Sequence, residues 1–151
     1  MNQDDRMPDE GRPDGFRLDP RLAADSLAVT ALALCEVRLM NDARYAWLLL
    51  VPRRTGLVEI SDLDADGQRT LWEETGRAAA ALRRVAPCDK LNLGALGNIV
   101  RQLHVHLVAR REGDDAWPGP VWGHGRAQPY APAAAAARTD ALRQALGAGG
   151  D

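Results

Sequence analysis

The chain has 151 residues, 46% of them hydrophobic and 26% charged, with a formal net charge of -2. That size and balance describe one soluble domain with a core of its own, and so little charge excludes broad, sequence-independent nucleic-acid binding, which needs a basic surface. No run approaches the roughly 20 apolar residues of a membrane helix, no secretory leader is evident, and Cys35 and Cys88 are too few for a disulfide framework; a cytoplasmic location and a buried free thiol at Cys35 are expected.

Residues 1–15 are charged and carry Pro8, Pro13 and two glycines, the composition of a disordered tail. Phe16 opens the ordered part, and residues 18–30 show no clear periodicity. Residues 32–40 read as a strand, residues 41–44 as a turn, and residues 45–52 as a second strand. The second strand is apolar at successive positions and so is expected to be buried on both faces. The short polar turn predicts a hairpin.

Ser61 to Asp64 can cap the next helix, whose body is predicted over residues 65–85. Leu71, Thr75, Ala78, Leu82 and Val85 lie on one helical face, and Pro87 stops the helix. Residues 90–96 look like a strand, bent at Gly94 and Gly97. Residues 116–123 hold two prolines and two tryptophans and cannot pair as a central strand. A last helix is predicted over residues 132–146, ended by Gly147. It is alanine-rich, with a thin apolar face. The order β-β-α-β-β-α indicates an α+β fold with an antiparallel sheet. Residues 16–125 form the expected domain, and residues 126–151 a C-terminal extension.

The informative stretch is Gln102-Leu103-His104-Val105-His106-Leu107-Val108-Ala109-Arg110. It alternates with period two, the pattern of a half-buried strand. Leu103, Val105, Leu107 and Ala109 form the inward face. Gln102, His104, His106 and Arg110 share the other. Imidazole can attack phosphorus or move protons near neutral pH, and a guanidinium grips phosphate oxygens through a planar fork. Two other readings compete: histidines on a solvated sheet face, or a zinc site completed by His124, Cys88 or Asp114, none of which sits at an informative spacing.

Residues 97–110, Gly-Asn-Ile-Val-Arg-Gln-Leu-His-Val-His-Leu-Val-Ala-Arg, resemble the signature of the histidine triad (HIT) family: a Gly-Gln pair, His-x-His-x-His with apolar residues between, then often an arginine. The stretch from Leu39-Met40-Asn41-Asp42 to Val51-Pro52-Arg53 resembles the family's first half. The resemblance covers residues 32–110 and implies the HIT-like fold, an antiparallel β-sheet with one long central helix and a C-terminal helix. It also implies nucleotidyl transfer or hydrolysis through a nucleotidyl-histidine intermediate.

Carried over by position, His104 is the nucleophile and His106 its flanking histidine. Gln102, Asn98, Asn92 and Arg110 are the implied phosphate contacts. Asn41 and Asp42 are either turn residues or nucleoside contacts. The chain departs from the pattern in that Gln102 stands at the first histidine position, Asn98 at the usual glutamine, and Trp47 where several members have histidine. No metal ligand set and no resident cofactor are expected, although a nucleotide could bring its own magnesium. The expected partners are a nucleotide or nucleotide derivative and a second copy of the chain. The rival from another class is a nucleotide-binding or protein-interaction module with little or no turnover.

Overall fold

The computed structural model describes residues 15–147; the expected tail therefore lies outside the described residues apart from Gly15. The elements are helix α1 (Pro20–Asp25), strands β1 (Ser26–Ala31), β2 (Cys35–Met40) and β3 (Ala46–Pro52), helix α2 (Ala65–Val85), strands β4 (Lys90–Gly94) and β5 (Val105–Arg110), and helix α3 (Pro132–Gly147). The fold is α+β. Its single sheet is antiparallel throughout, in the order β1-β2-β3-β5-β4.

The stretch without clear periodicity, residues 18–30, contains two elements. Asp19 accepts the Arg21 N–H and caps the short helix α1, with Pro20 at its first position. β1 then pairs with β2 through a bulge between Ala28 and Thr30, which breaks its alternation and hides it from a period-two reading. Residues 32–34, expected inside a strand, form the turn between β1 and β2. α2 matches its expected span, with the Asp64 side chain accepting the Gly67 N–H at 2.7 Å.

Two apolar layers sandwich the sheet. On one face Cys35, Val37, Leu39, Leu48, Leu50, Val105 and Leu107 meet Leu71, Ala78 and Leu82 of α2, and Leu142 and Leu146 of α3. On the other, Trp47, Leu49, Val51 and Val108 meet Phe16 and Leu22 from the N-terminal segment, and Ala116 and Val121 from the proline-containing segment. β3 feeds both layers, which is why it is apolar at every position. Cys35 is a fully buried free thiol. No described helix is long and apolar enough to cross a membrane.

Burial of polar groups is tolerated only where they are partnered. On β2, Arg38 bonds Glu36 at 2.6 Å and the hydroxyl and carbonyl of Ser26. On α2, the Glu74 carboxylate, 3% exposed, accepts the backbone N–H groups of Leu34 at 2.7 Å and Cys35 at 2.8 Å. One helix side chain thereby closes the β1–β2 turn. Replacing it strands two buried donors, so Glu74→Ala is expected to destabilise the fold by about 3 kcal/mol. Glu74→Gln, which keeps one acceptor, should lose less; urea denaturation of the two variants measures the difference.

Candidate active site

β5 lies between β3 and β4. Leu49 and Gly94 stand opposite His106, while Trp47 stands opposite Val108. The strand begins at Val105, three residues later than its alternation suggests. Residues 101–104 instead form an irregular run fastened to the loop after β3, where Leu103 N–H donates to Leu57 O at 3.0 Å.

His104 and His106 keep the shared face that the alternation predicted. Their ring centroids are 4.8 Å apart with the planes at 66°. Each is only 6% exposed, because the N-terminal and proline-containing segments cover that face. A solvated pair of histidines is therefore not what the fold makes.

Their hydrogen bonds fix complementary tautomers. His104 Nδ1 lies 2.7 Å from the Gln102 carbonyl oxygen. A carbonyl only accepts, so Nδ1 carries the proton and Nε2 of the neutral ring holds a free lone pair. His106 Nδ1 instead accepts the Trp47 indole N–H at 3.0 Å, leaving the proton of the neutral ring on Nε2. Burial, reinforced by the neighbouring His104, pushes the His106 pKa down to about 3. His106 is thus a neutral N–H donor across the working pH range. Trp122 closes over it at 5.5 Å, and Gly94 makes room, since a Cβ there would sit 3.3 Å from the indole.

His104 opens into a pocket of about 580 Å³ bounded by residues 58–61, Gln68, residues 95–97 and residues 101–104. His104 is the one imidazole in the pocket's lining.

The other expected site residues distribute unevenly. Gln102 shares the pocket wall, but both ends of its amide are engaged: Nε2 donates to Arg17 O at 2.8 Å, and Oε1 accepts the Asp19 N–H at 2.9 Å. Asn98 is exposed on the loop before β5. Arg110 is 1% exposed and makes a forked pair with Asp114, at 2.7 and 2.9 Å. Its remaining nitrogen bonds Asn92 Oδ1 at 2.8 Å, and its guanidinium lies over the Trp117 ring. Six residues along a strand is roughly 20 Å, so Arg110 and Asn92 form a structural knot away from His104. Asn41 Oδ1 accepts Tyr130 N–H at 2.9 Å, and Asp42 binds the Arg44 guanidinium at 2.8 Å and Gln128 N–H at 3.3 Å. Those two residues anchor the chain leading to α3 and line a separate pocket of about 400 Å³ that does not include His104. Among the described residues, no three His, Cys, Asp or Glu side chains are grouped to hold a metal ion.

The HIT domain family model matches residues 21–113. The chain belongs to the HIT family. It is similar to solved histidine triad proteins from Sinorhizobium meliloti 1021 (47% identity over 86% of this chain and 96% of that one, TM-score 0.84) and Bradyrhizobium japonicum (46%, 87% and 98%, TM-score 0.85). A third, from Marinobacter aquaeolei VT8, is 41% identical over 88% and 97%, with a TM-score of 0.85. No curated protein matches the chain. The HIT-like fold expected from the histidine motif is therefore the fold observed.

Sequence reasoning passed over Trp47 as a partner of His106 and Arg101 as a pocket residue. The first depends on the β3–β5 register, for which the sequence carries no direct signal. The second was legible as a basic residue next to Gln102, but it falls on the face opposite His104 if the strand is extended backwards.

Two outcomes follow for this HIT protein. Gln102→Ala removes both ties to residues 17–19, so hydrogen exchange at the Asp19 amide should rise at least about tenfold, at a stability cost of about 2 kcal/mol. The second concerns pH. His106 is depressed in the fold relative to an ordinary histidine near 6.5, so the unfolded chain binds the extra proton first. The stability from keeping His106 neutral is complete above pH 6.5 and drains away as pH falls from there towards about 3. Melting temperatures between pH 7 and pH 4 should fall more steeply for the wild type than for His106→Ala.

Proposed function

We propose that this HIT protein cleaves nucleoside phosphate derivatives, of the dinucleoside polyphosphate or phosphoramidate type, through attack of His104 Nε2 on phosphorus. The observation that carries this reading is the hydrogen bond from His104 Nδ1 to the Gln102 carbonyl. It orients the ring, fixes the proton on the non-attacking nitrogen and leaves the nucleophilic lone pair at the pocket.

In the first step the Nε2 lone pair forms the N–P bond, while the bond from phosphorus to the leaving group breaks and that group departs with the electron pair, an amine taking up a proton from solvent as it leaves. In the second, water attacks phosphorus and gives a proton to solvent, the N–P bond breaks with its electrons returning to Nε2, and a nucleoside monophosphate is released. The carbonyl partner of Nδ1 stabilises the positive ring of the intermediate. Neutral His106, with its Nε2–H, is suited to donate towards a phosphoryl oxygen and not to act as a charged acid. Family membership supports nucleotide handling in general. The named substrate types and the covalent step are part of this proposal.

A homodimer and a cytoplasmic location belong to the same reading. The free edge of β4 and the exposed Leu93, Leu96 and Ile99 beside it support self-association. One observation favours a second reading, a nucleotide-binding module with little turnover: Gln102 already spends its amide on residues 17–19 and has no proton to give.

Incubation with adenosine phosphoramidate or a diadenosine polyphosphate, followed by chromatography for AMP, separates the two. His104→Ala is expected to cut AMP release by about a thousandfold or more while circular dichroism stays unchanged. A mutant keeping a tenth of wild-type activity would remove His104 from the role. Nucleotide binding by the wild type with no AMP formed would favour the second reading.

A further inference from the structure

The His104 pocket holds two formal charges besides any on His104: Arg101, on the run that carries the histidine, and Glu59, on the 58–61 wall. Arg101 is exposed and makes no hydrogen bond or ion pair among the described residues. In this it differs from Arg38, Arg44 and Arg110, each committed to a buried or half-buried carboxylate. An unpaired guanidinium at the wall of a pocket is a binding group without a ligand, and its planar fork of donors matches phosphate oxygens.

The surroundings add to its sign. The Gln102 clasp brings residues 17–21 against the same loop, where Arg21 also donates to Ile99 O at 3.1 Å. Within that segment Asp19 is neutralised by Arg21, which holds its carboxyl below the usual range through side-chain and backbone hydrogen bonds. Arg17 has no such partner among the described residues. The clasped segment, residues 17–21, therefore adds one net positive charge beside a pocket whose own lining holds Arg101 and Glu59, on a chain whose overall charge is negative.

The lining also says which part of a substrate belongs there. Apart from the His104 imidazole it contains no aromatic ring, so it offers a nucleobase no stacking platform. Apolar contact comes from Val58, Ile60, Leu96 and Leu103, and the polar groups besides His104 are Ser61, Gln68, the already engaged Gln102 amide and the two charges. In an in-line displacement the leaving atom lies on the far side of phosphorus from Nε2, further out than the attacked group. A charged chain leaving in that direction passes outward from His104 towards the rim.

We propose that Arg101 binds the leaving group, so that the pocket selects substrates whose leaving group carries phosphoryl charge over those whose leaving group is an uncharged amine. The inference rests on the reading of His104 as nucleophile, and it deepens that reading by naming the leaving-group class and the residue that selects it.

The experiment compares wild type, Arg101→Ala and Arg101→Lys on diadenosine tetraphosphate and adenosine phosphoramidate, with melting temperatures confirming the fold. For Arg101→Ala the ratio of kcat/KM, polyphosphate over phosphoramidate, is expected to fall by about thirtyfold, with Arg101→Lys recovering part of it. Equal losses on both substrates would place Arg101 on the attacked phosphate and overturn the proposal, as would no loss on either. Calorimetric binding of inorganic tripolyphosphate, which needs no turnover, keeps the two readings apart. If the wild type cleaves neither substrate, the catalytic reading fails, and tripolyphosphate then decides Arg101 alone: a loss of about tenfold or more in Arg101→Ala supports it, and equal affinity overturns it.

Discussion

β5 is buried on both faces, and much of the structure follows from that constraint. One face is the apolar layer under α2. The other carries His104 just before the strand, then His106 and Arg110, and in water these would need no partners. Beneath Phe16, Leu22 and Val121 each must find one. His104 takes the Gln102 carbonyl, His106 takes the Trp47 indole, and Arg110 takes Asp114 and Asn92. The partners differ, and so do the consequences. A carbonyl fixes a proton on Nδ1, an indole N–H forbids one there, and a carboxylate keeps a guanidinium charged. Similar burial thus yields an imidazole protonated on Nδ1, a neutral N–H donor and a structural cross-link along one line of the chain.

The covering layer and the site depend on each other. Residues 16–25 supply apolar cover through Phe16 and Leu22, and they are held over the sheet partly by Gln102, two residues before His104. The same cover lowers the polarity around His106 and so keeps it uncharged. A second proton on the imidazole pair would place two cations about 5 Å apart in a poorly solvated site. Keeping His106 neutral means that any positive charge carried by the His104 ring meets no competing cation beside it.

The long helix, the paired β2 and β3, the last helix and the shared face of the two histidines were legible because each rests on local pattern: helical spacing, capping residues and period-two alternation. β1 was not, because its bulge breaks the alternation, and α1 is too short to show a period. The limits of the site were not legible for a different reason. Asn41, Asp42, Asn92 and Arg110 are the residue types that bind nucleotides, and they are equally the types that tie loops together. Here they bond Tyr130, Gln128, each other and Asp114. Which of the two uses a residue serves depends on contacts 4 to 89 positions away along the chain, most of them distant, and residue type does not encode them.

Gln102 shows how much a partner's geometry can decide. The motif aligned on His104 and His106 puts it at the first histidine position, where a ring could carry a proton. Its actual partners are the carbonyl of Arg17 and the N–H of Asp19. In an extended backbone these two groups flank residue 18 and point to the same side. A carboxamide carries its acceptor and its donor side by side at one end and can meet both at once, as a peptide group on a neighbouring strand would. An imidazole has one donor and one acceptor when neutral, but they diverge from opposite edges of the ring and cannot both face one edge of the backbone. A histidine at this position could tie residues 17–19 at one point only. The glutamine therefore exchanges a titratable group for a two-point clasp. One positive charge comes instead with the segment it holds, on Arg17, since Arg21 is already paired with Asp19.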